Sequence, residues 1–301
     1  MKIDPRALRL FLAVCREGTI SGAARAEHLS QPSVSVAISQ LERTLSTKLF
    51  ERFRQGIQLT PAGEALKLRA EAVENLLQAA KRETELLGMN ASGPMVIGGT
   101  PGALSTLIPK VLNSFAAAHP SFELRIVERP EATLQNLLRT YEIDVAVVTA
   151  GMREHPADFR EIVLLSDPFA LVVGKQNAKL PDTVALPDLD RARWVLPDAI
   201  GGFRLQIDAL FVNAGAPTPR NVIRSDSLLT TKSIVRNTDY VTILPREVVD
   251  PELASGALRA INIREAKFQR KVGLLWLKER RFSNLTKAFI EHTQSVLGNG
   301  K

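Results

Sequence analysis

In "LSQPSVSVAISQLERTL", residues 29–45, the side chains that can make hydrogen bonds gather on one side of a helix. At about 100° per residue, Pro32, Ser33, Val36, Ser39, Gln40 and Arg43 fall together, with Gln31 and Ser35 at the N-terminal margin. Val34, Ile38, Leu41 and Leu45 take the other side, at steps of four, three and four. An amide can pair with adenine, a hydroxyl with a base edge or phosphate, and an exposed aliphatic group with a thymine methyl. This is the chemistry of duplex recognition, not of bond-breaking.

A second group lies at the ends of apolar runs. Thr100, Pro101 and Gly102 follow one run and open a helix, whose free backbone N–H groups favour an anion. Thr149 ends another run and offers a hydroxyl. Phe203 and Arg204 close the loop that begins at Pro197, and a guanidinium is a fork for a carboxylate or phosphate. Open parallel sheets bind ligands beyond the carboxyl ends of their strands, so these residues are candidates for one small-molecule site. An enzyme would need other signals. Neither a G-x-S-x-G elbow nor a P-loop occurs, and "GGTPG" lacks the spacing of a dinucleotide fingerprint.

The elements that would position both groups can be read in order. Leu8, Phe11, Leu12 and Cys15 mark a first helix ending near Gly18, and Ser21 is expected to cap a short helix over 23–29. Ser30 should cap the helix just described, with Pro32 in its first turn. Alternation around Phe50 to Leu59 predicts a hairpin, or wing, that offers Arg52 and Arg54 to phosphates or the minor groove. Thr60 and Pro61 start a long helix, about 42 Å if it runs from 61 to 88. Along it, Leu66, Ala70, Val73, Leu77, Ala80, Thr84 and Leu87 keep a heptad seam that calls for a partner, most simply a second copy of the chain. Gly93 and Pro94 then read as a hinge.

Beyond the hinge, strands at 95–98, 123–127, 144–148, 169–173, 194–196 and 241–244 alternate with helical patterns, the mark of parallel sheets covered by helices. The strand at 169–173 begins a second lobe, and "KVGLLWL" at 271–277 returns to the first.

Composition bounds the alternatives. The chain has 301 residues and a formal net charge of +7, which permits an acidic partner. The N-terminal 60 residues carry only four more basic than acidic groups, and the basic run 259–287 reads as a solvated face. One cysteine, Cys15, excludes an internal disulfide and reads as a small core residue. His28, His119, His155 and His292 lie far apart, so neither a metal nor a cofactor is expected. No apolar run is long enough to span a membrane, and "MKIDPRALRLFLAVCREG" lacks a cleavage site, so a cytoplasmic protein is expected. A solute-binding transport protein would need an export signal and no helix-turn-helix.

The pieces "LSQPSVS", "ISQLE", "KLFER" and "LTPAGE", in this order, resemble the LysR-type transcriptional regulators, and the resemblance spans nearly the whole chain. It implies an N-terminal winged helix-turn-helix over 1–60, a dimerising linker helix over 61–90 and an effector domain over 91–301. That domain would be two-lobed, α/β and periplasmic-binding-protein-like, with lobe I about 91–165 and 267–301 and lobe II about 166–266. It further implies a homotetramer, an operator DNA, a small-molecule effector and contact with RNA polymerase, and the Thr100, Thr149 and Arg204 side chains make an organic anion the expected effector. By the same resemblance, Gln31, Pro32, Ser33 and Ser35 face DNA and Arg52 is a wing contact. Val36 departs from the family, which often has arginine or another polar residue there. Thr238 and Tyr240 stand where the family usually has glycines.

Overall fold

The computed structural model describes residues 3–53, 56–151, 154–198 and 201–298, Arg52 by its backbone alone. The chain divides into two compact units, Met1–Gly88 with Arg139–Glu142, and Met89–Leu138 with Ile143–Lys301.

In the first unit, α1 (Pro5–Glu17) starts at Asp4, whose carboxylate accepts from the Arg6 N–H, and stops at Gly18 with φ 66°. That left-handed turn is one glycine adopts without strain. The next helix, α2 (Ile20–Ala26), is capped by Thr19 and not by Ser21. Thr19 is the last extended residue, so its hydroxyl can accept from Gly22, whereas Ser21 already lies inside the first turn. Ser30 caps α3 (Gln31–Leu45), as its spacing predicts. Strands β1 (Phe50–Phe53) and β2 (Gly56–Leu59) pair antiparallel, with Arg52 opposite Ile57, and form the wing.

Thr60 then caps α4 (Pro61–Gly88), accepting from the Gly63 N–H at 3.0 Å and donating to the Lys48 carbonyl at 2.7 Å. Gly63 is obligatory there, because a β-carbon would lie 2.2 Å from the Leu49 carbonyl oxygen. Phe11, Ala23, Val34, Ile38, Leu41 and Leu49 form the core of this unit. At about 1.5–3 kcal/mol per large apolar side chain, that burial outweighs any single cap. The heptad seam is split. Leu66 and Ala70 pack into the core, whereas Val73, Leu77 and Leu87 are exposed at 38%, 53% and 65%.

The second unit is a mixed sheet with helices on its faces. In lobe I, β3 (Ser92–Gly99) lies between β4 (Phe122–Glu128) and β5 (Val145–Thr149), all parallel. Gly93 and Pro94, read as a hinge, belong to β3. Helices α5 (Pro101–Ala118) and α6 (Glu131–Arg139) follow the strands. The long β6 (Phe159–Val173) runs through both lobes. Its first half escapes a sequence reading because charged residues and the Asp167-Pro168 step interrupt the apolar pattern.

Lobe II adds β7 (Thr183–Val184), β8 (Trp194–Leu196), α7 (Gly202–Asn213), β9 (Val222–Arg224), α8 (Leu228–Asn237), β10 (Val241–Pro245), α9 (Asp250–Ala254) and β11 (Arg259–Ile263). Strand β12 (Gln269–Leu277) returns to lobe I, where α10 (Asn284–Leu297) ends the described chain. Both β12 and β10 run antiparallel to β6, so the sheets are not purely parallel. Separate cores hold the lobes, around Met95, Phe115 and Phe289 in the first and Trp194, Ile207 and Ile243 in the second.

Candidate functional site

The face of α3 opposite its buried stripe is open. Val34, Ile38 and Leu41 are buried, while Gln31, Pro32, Ser33, Val36, Gln40 and Arg43 are exposed and Ser35 and Ser39 are half-buried. Val36 is 52% exposed, an aliphatic group left in water on the same face as the exposed Gln40. Ser33 is partly engaged by the cap, its hydroxyl 2.7 Å from that of Ser30, and the Arg43 Nε donates to the Ser39 carbonyl. Gln31 and Gln40 are the freest long polar groups of this face. Arg52 lies on β1, and Arg54 is outside the described residues.

Glu42 fixes the end of this helix. Its carboxylate accepts from the Lys48 ammonium at 2.9 Å and from the Leu49 N–H at 3.0 Å, tying α3 to the wing. Burial raises the carboxyl group, but these donors more than offset it and hold Glu42 below its ordinary range.

In the second unit, a cavity of about 760 Å³ opens between the lobes. Thr100, Pro101, Gly102, Thr149, Phe203 and Arg204 all line it, so the strand ends meet as their order in the chain predicts. Thr100 stands at the cap position of α5, yet its hydroxyl makes no capping bond. Thr149 ends β5 and is buried. Arg204 is substantially committed. Its Nε donates to both Asp208 oxygens at 2.9 and 3.0 Å, and its Nη1 to the Pro197 carbonyl at 2.9 Å. It therefore secures the loop at the cleft lip and holds its own counter-charge.

The cleft also contains groups that sequence reasoning missed. Across its mouth, the Gly202 N–H at the start of α7 donates to the Glu131 carboxylate of lobe I at 2.7 Å. Its floor includes Arg270, 2% exposed, and behind that side chain Asp167 is fully buried. The Arg270 Nη2 donates to Asp167 at 3.2 Å and to the Thr106 hydroxyl at 2.8 Å, while the other Asp167 oxygen accepts from the Glu247 N–H. Burial pulls the guanidinium down to about 10 and pushes the Asp167 carboxyl up, each against its partner's charge. Arg270 sits in the basic run read as a solvated face, which needs correction at three places. Besides Arg270, Arg259 donates to the Leu180 carbonyl, and Arg280 pairs with Asp144 and the Ile143 carbonyl.

The family model "Bacterial regulatory helix-turn-helix protein, lysR family" matches residues 5–64, and "LysR substrate binding domain" matches 90–298. The chain belongs to the LysR family. It is a DNA-binding transcriptional regulator with an effector-binding domain. Among similar regulators, TdcA of Escherichia coli K12 is 25% identical over 286 residues, covering 94% of this chain and 90% of its own. The crystal structure of CbnR, a LysR family transcriptional regulator, superposes with a TM-score of 0.73 at 19% identity, over 98% of this chain and 99% of that one. The full-length CbnR complexed with its target DNA gives 0.72 at 20% identity, over 97% and 99%.

For this LysR regulator, the sequence signal for Asp167 and Arg270 is faint: each is a charge shortly before an apolar run, 169–173 and 272–277. Among the described residues, no group of three or more His, Cys, Asp or Glu side chains could hold a metal ion. No helix among them is long and apolar enough to cross a membrane.

Proposed function

We propose that α3 enters the major groove of an operator and reads it with the face of Gln31, Pro32, Ser33, Ser35, Val36, Ser39, Gln40 and Arg43. The wing, with Arg52 and Arg54, would hold phosphates beside it. The observation that carries this reading is the open α3 face, polar except for Pro32 and Val36, backed by the buried Val34, Ile38 and Leu41. Residues 1–60 form the DNA-binding domain, 61–90 the dimerising helix and 91–301 the effector domain. The exposed stripe of α4 supports a homodimer, and a homotetramer follows if the effector domains also pair. The protein works in the cytoplasm, where its operator is, and acts on RNA polymerase.

The effector is a small organic anion held between Thr100, Pro101, Gly102 and Thr149 of lobe I and Phe203 and Arg204 of lobe II. A ligand that touches both lobes favours one interlobe angle, and only such differential affinity can shift the equilibrium. Operator selection from a random library tests the DNA reading. Gln31→Ala should cost about 1–3 kcal/mol on the selected site and relax one base pair. Arg52→Ala should weaken all duplexes alike and flatten the salt dependence. Identical losses across the library would sink this division of labour.

A further inference from the structure

The cleft floor holds a guanidinium that is only partly used. Arg270 and Asp167 are register partners on β12 and β6, the two strands that pass between the lobes. Among the described residues, every side-chain hydrogen bond of Arg270 is made by Nη2, to Thr106, Asp167 and the Gly102 carbonyl, and its Nε is buried with no acceptor. Buried guanidinium N–H groups are ordinarily satisfied, so this one has donors to spare. Its Nη1 lies against the first turn of α5, where a β-carbon on Gly102 would approach within 2.9 Å. That turn also has donors to spare, because Thr100 makes no side-chain cap. The helix end and the guanidinium converge on one spot of the cavity wall.

The rest of the cavity restricts what the anion can be. Val195, Phe203, Leu228, Leu244 and Val248 supply apolar walls. Glu128, Glu131 and Asp226 also line it, and Glu131 already occupies the N-terminus of α7. A second carboxylate on the ligand would meet these three acids, which outnumber the two other arginines of the lining, the exposed Arg129 and the already engaged Arg204.

Resting on the reading of this cleft as the effector site, we propose that its effector is a monoanion with an apolar body, an aromatic or branched aliphatic carboxylic acid. Its carboxylate is received by Arg270 and the N-terminus of α5, and it displaces Asp167 as the counter-charge of Arg270. Asp167 stays on the Glu247 N–H of lobe II, while Arg270 follows the ligand toward α5 of lobe I. The pair that joins the two crossing strands is thereby loosened, and this couples occupancy to the interlobe angle.

Isothermal titration of the full chain with benzoate, phenylacetate and 4-methylpentanoate, against benzamide and terephthalate, tests the class. At least one monoanion should bind about tenfold more tightly than the neutral and doubly charged probes. Equal binding of terephthalate, or no binding by any monoanion, overturns it. Asp167→Asn removes the competitor and should tighten the best monoanion about threefold or more, whereas Arg270→Lys loses the fork and should weaken it about tenfold. A purely structural pair would weaken binding in both. Unchanged affinity in Arg270→Lys, with a native circular dichroism spectrum, overturns the receptor even if Asp167→Asn fails to fold. Val248→Trp separates the two readings: binding that survives a filled cleft refutes the effector site itself.

Discussion

At the scale of single residues, Val36 is the most informative side chain of the proposed DNA face. An aliphatic group 52% exposed gains nothing from water, and against a thymine methyl it removes apolar area from both partners. One buried methyl contributes about 0.8 kcal/mol, so replacing that thymine with deoxyuridine should weaken wild-type binding about fourfold. Val36→Ser should bind both operators alike in a fluorescence anisotropy titration. A serine variant that still discriminates would show that the methyl is read by another group.

Elements are held by a few ties between them, and two can be cut separately. Glu42 joins α3 to the wing through Lys48 and Leu49. Its folded carboxyl titrates below its unfolded value of 4.5, so this contribution is fully present above that value. The contribution is lost as pH falls through the lowered folded value. Glu42→Ala should therefore cost about 1–3 kcal/mol in urea melts at pH 7, and the gap to wild type should close in acid. On α4, Leu77 is exposed at 53% while Ala70 is buried in the unit's own core. Leu77→Asp should leave the fold intact yet place a charge in the proposed dimer seam, lowering the mass seen by analytical ultracentrifugation. An unchanged mass would move the dimer contact off this stripe.

For the molecule as a whole, the relation between the lobes matters most. Glu131 reaches from lobe I to the Gly202 N–H of lobe II, with its oxygen so near that a β-carbon on Gly201 would lie 3.0 Å away. A carboxylate of the protein thus already sits where a helix N-terminus attracts an anion. Glu131→Ala should vacate that helix end and remove one acidic neighbour. Terephthalate should then bind several-fold more tightly than it binds wild type, while the neutral benzamide should not gain. Equal gains for both would mean that the variant merely opens the cleft.

The sequence alone determined the features that depend on residues within about four positions of one another. The Ser30 cap, the Val34-Ile38-Leu41 stripe and the Thr60-Pro61 helix start are all of this kind, so α3 and its open face are legible in the residue order itself. The strand ends of the cleft are legible too, because β–α alternation orders them along the chain. The Thr19 cap is not, because backbone conformation, not residue type, decides between two hydroxyl residues. The split of the α4 seam depends on which part α1 covers, and heptad spacing carries no record of that. Only tertiary structure could join Asp167 to Arg270, 103 positions away, because strand register sets that pairing. Burial then turns an arginine in an apparently solvated run into a partly used cation on the cleft floor.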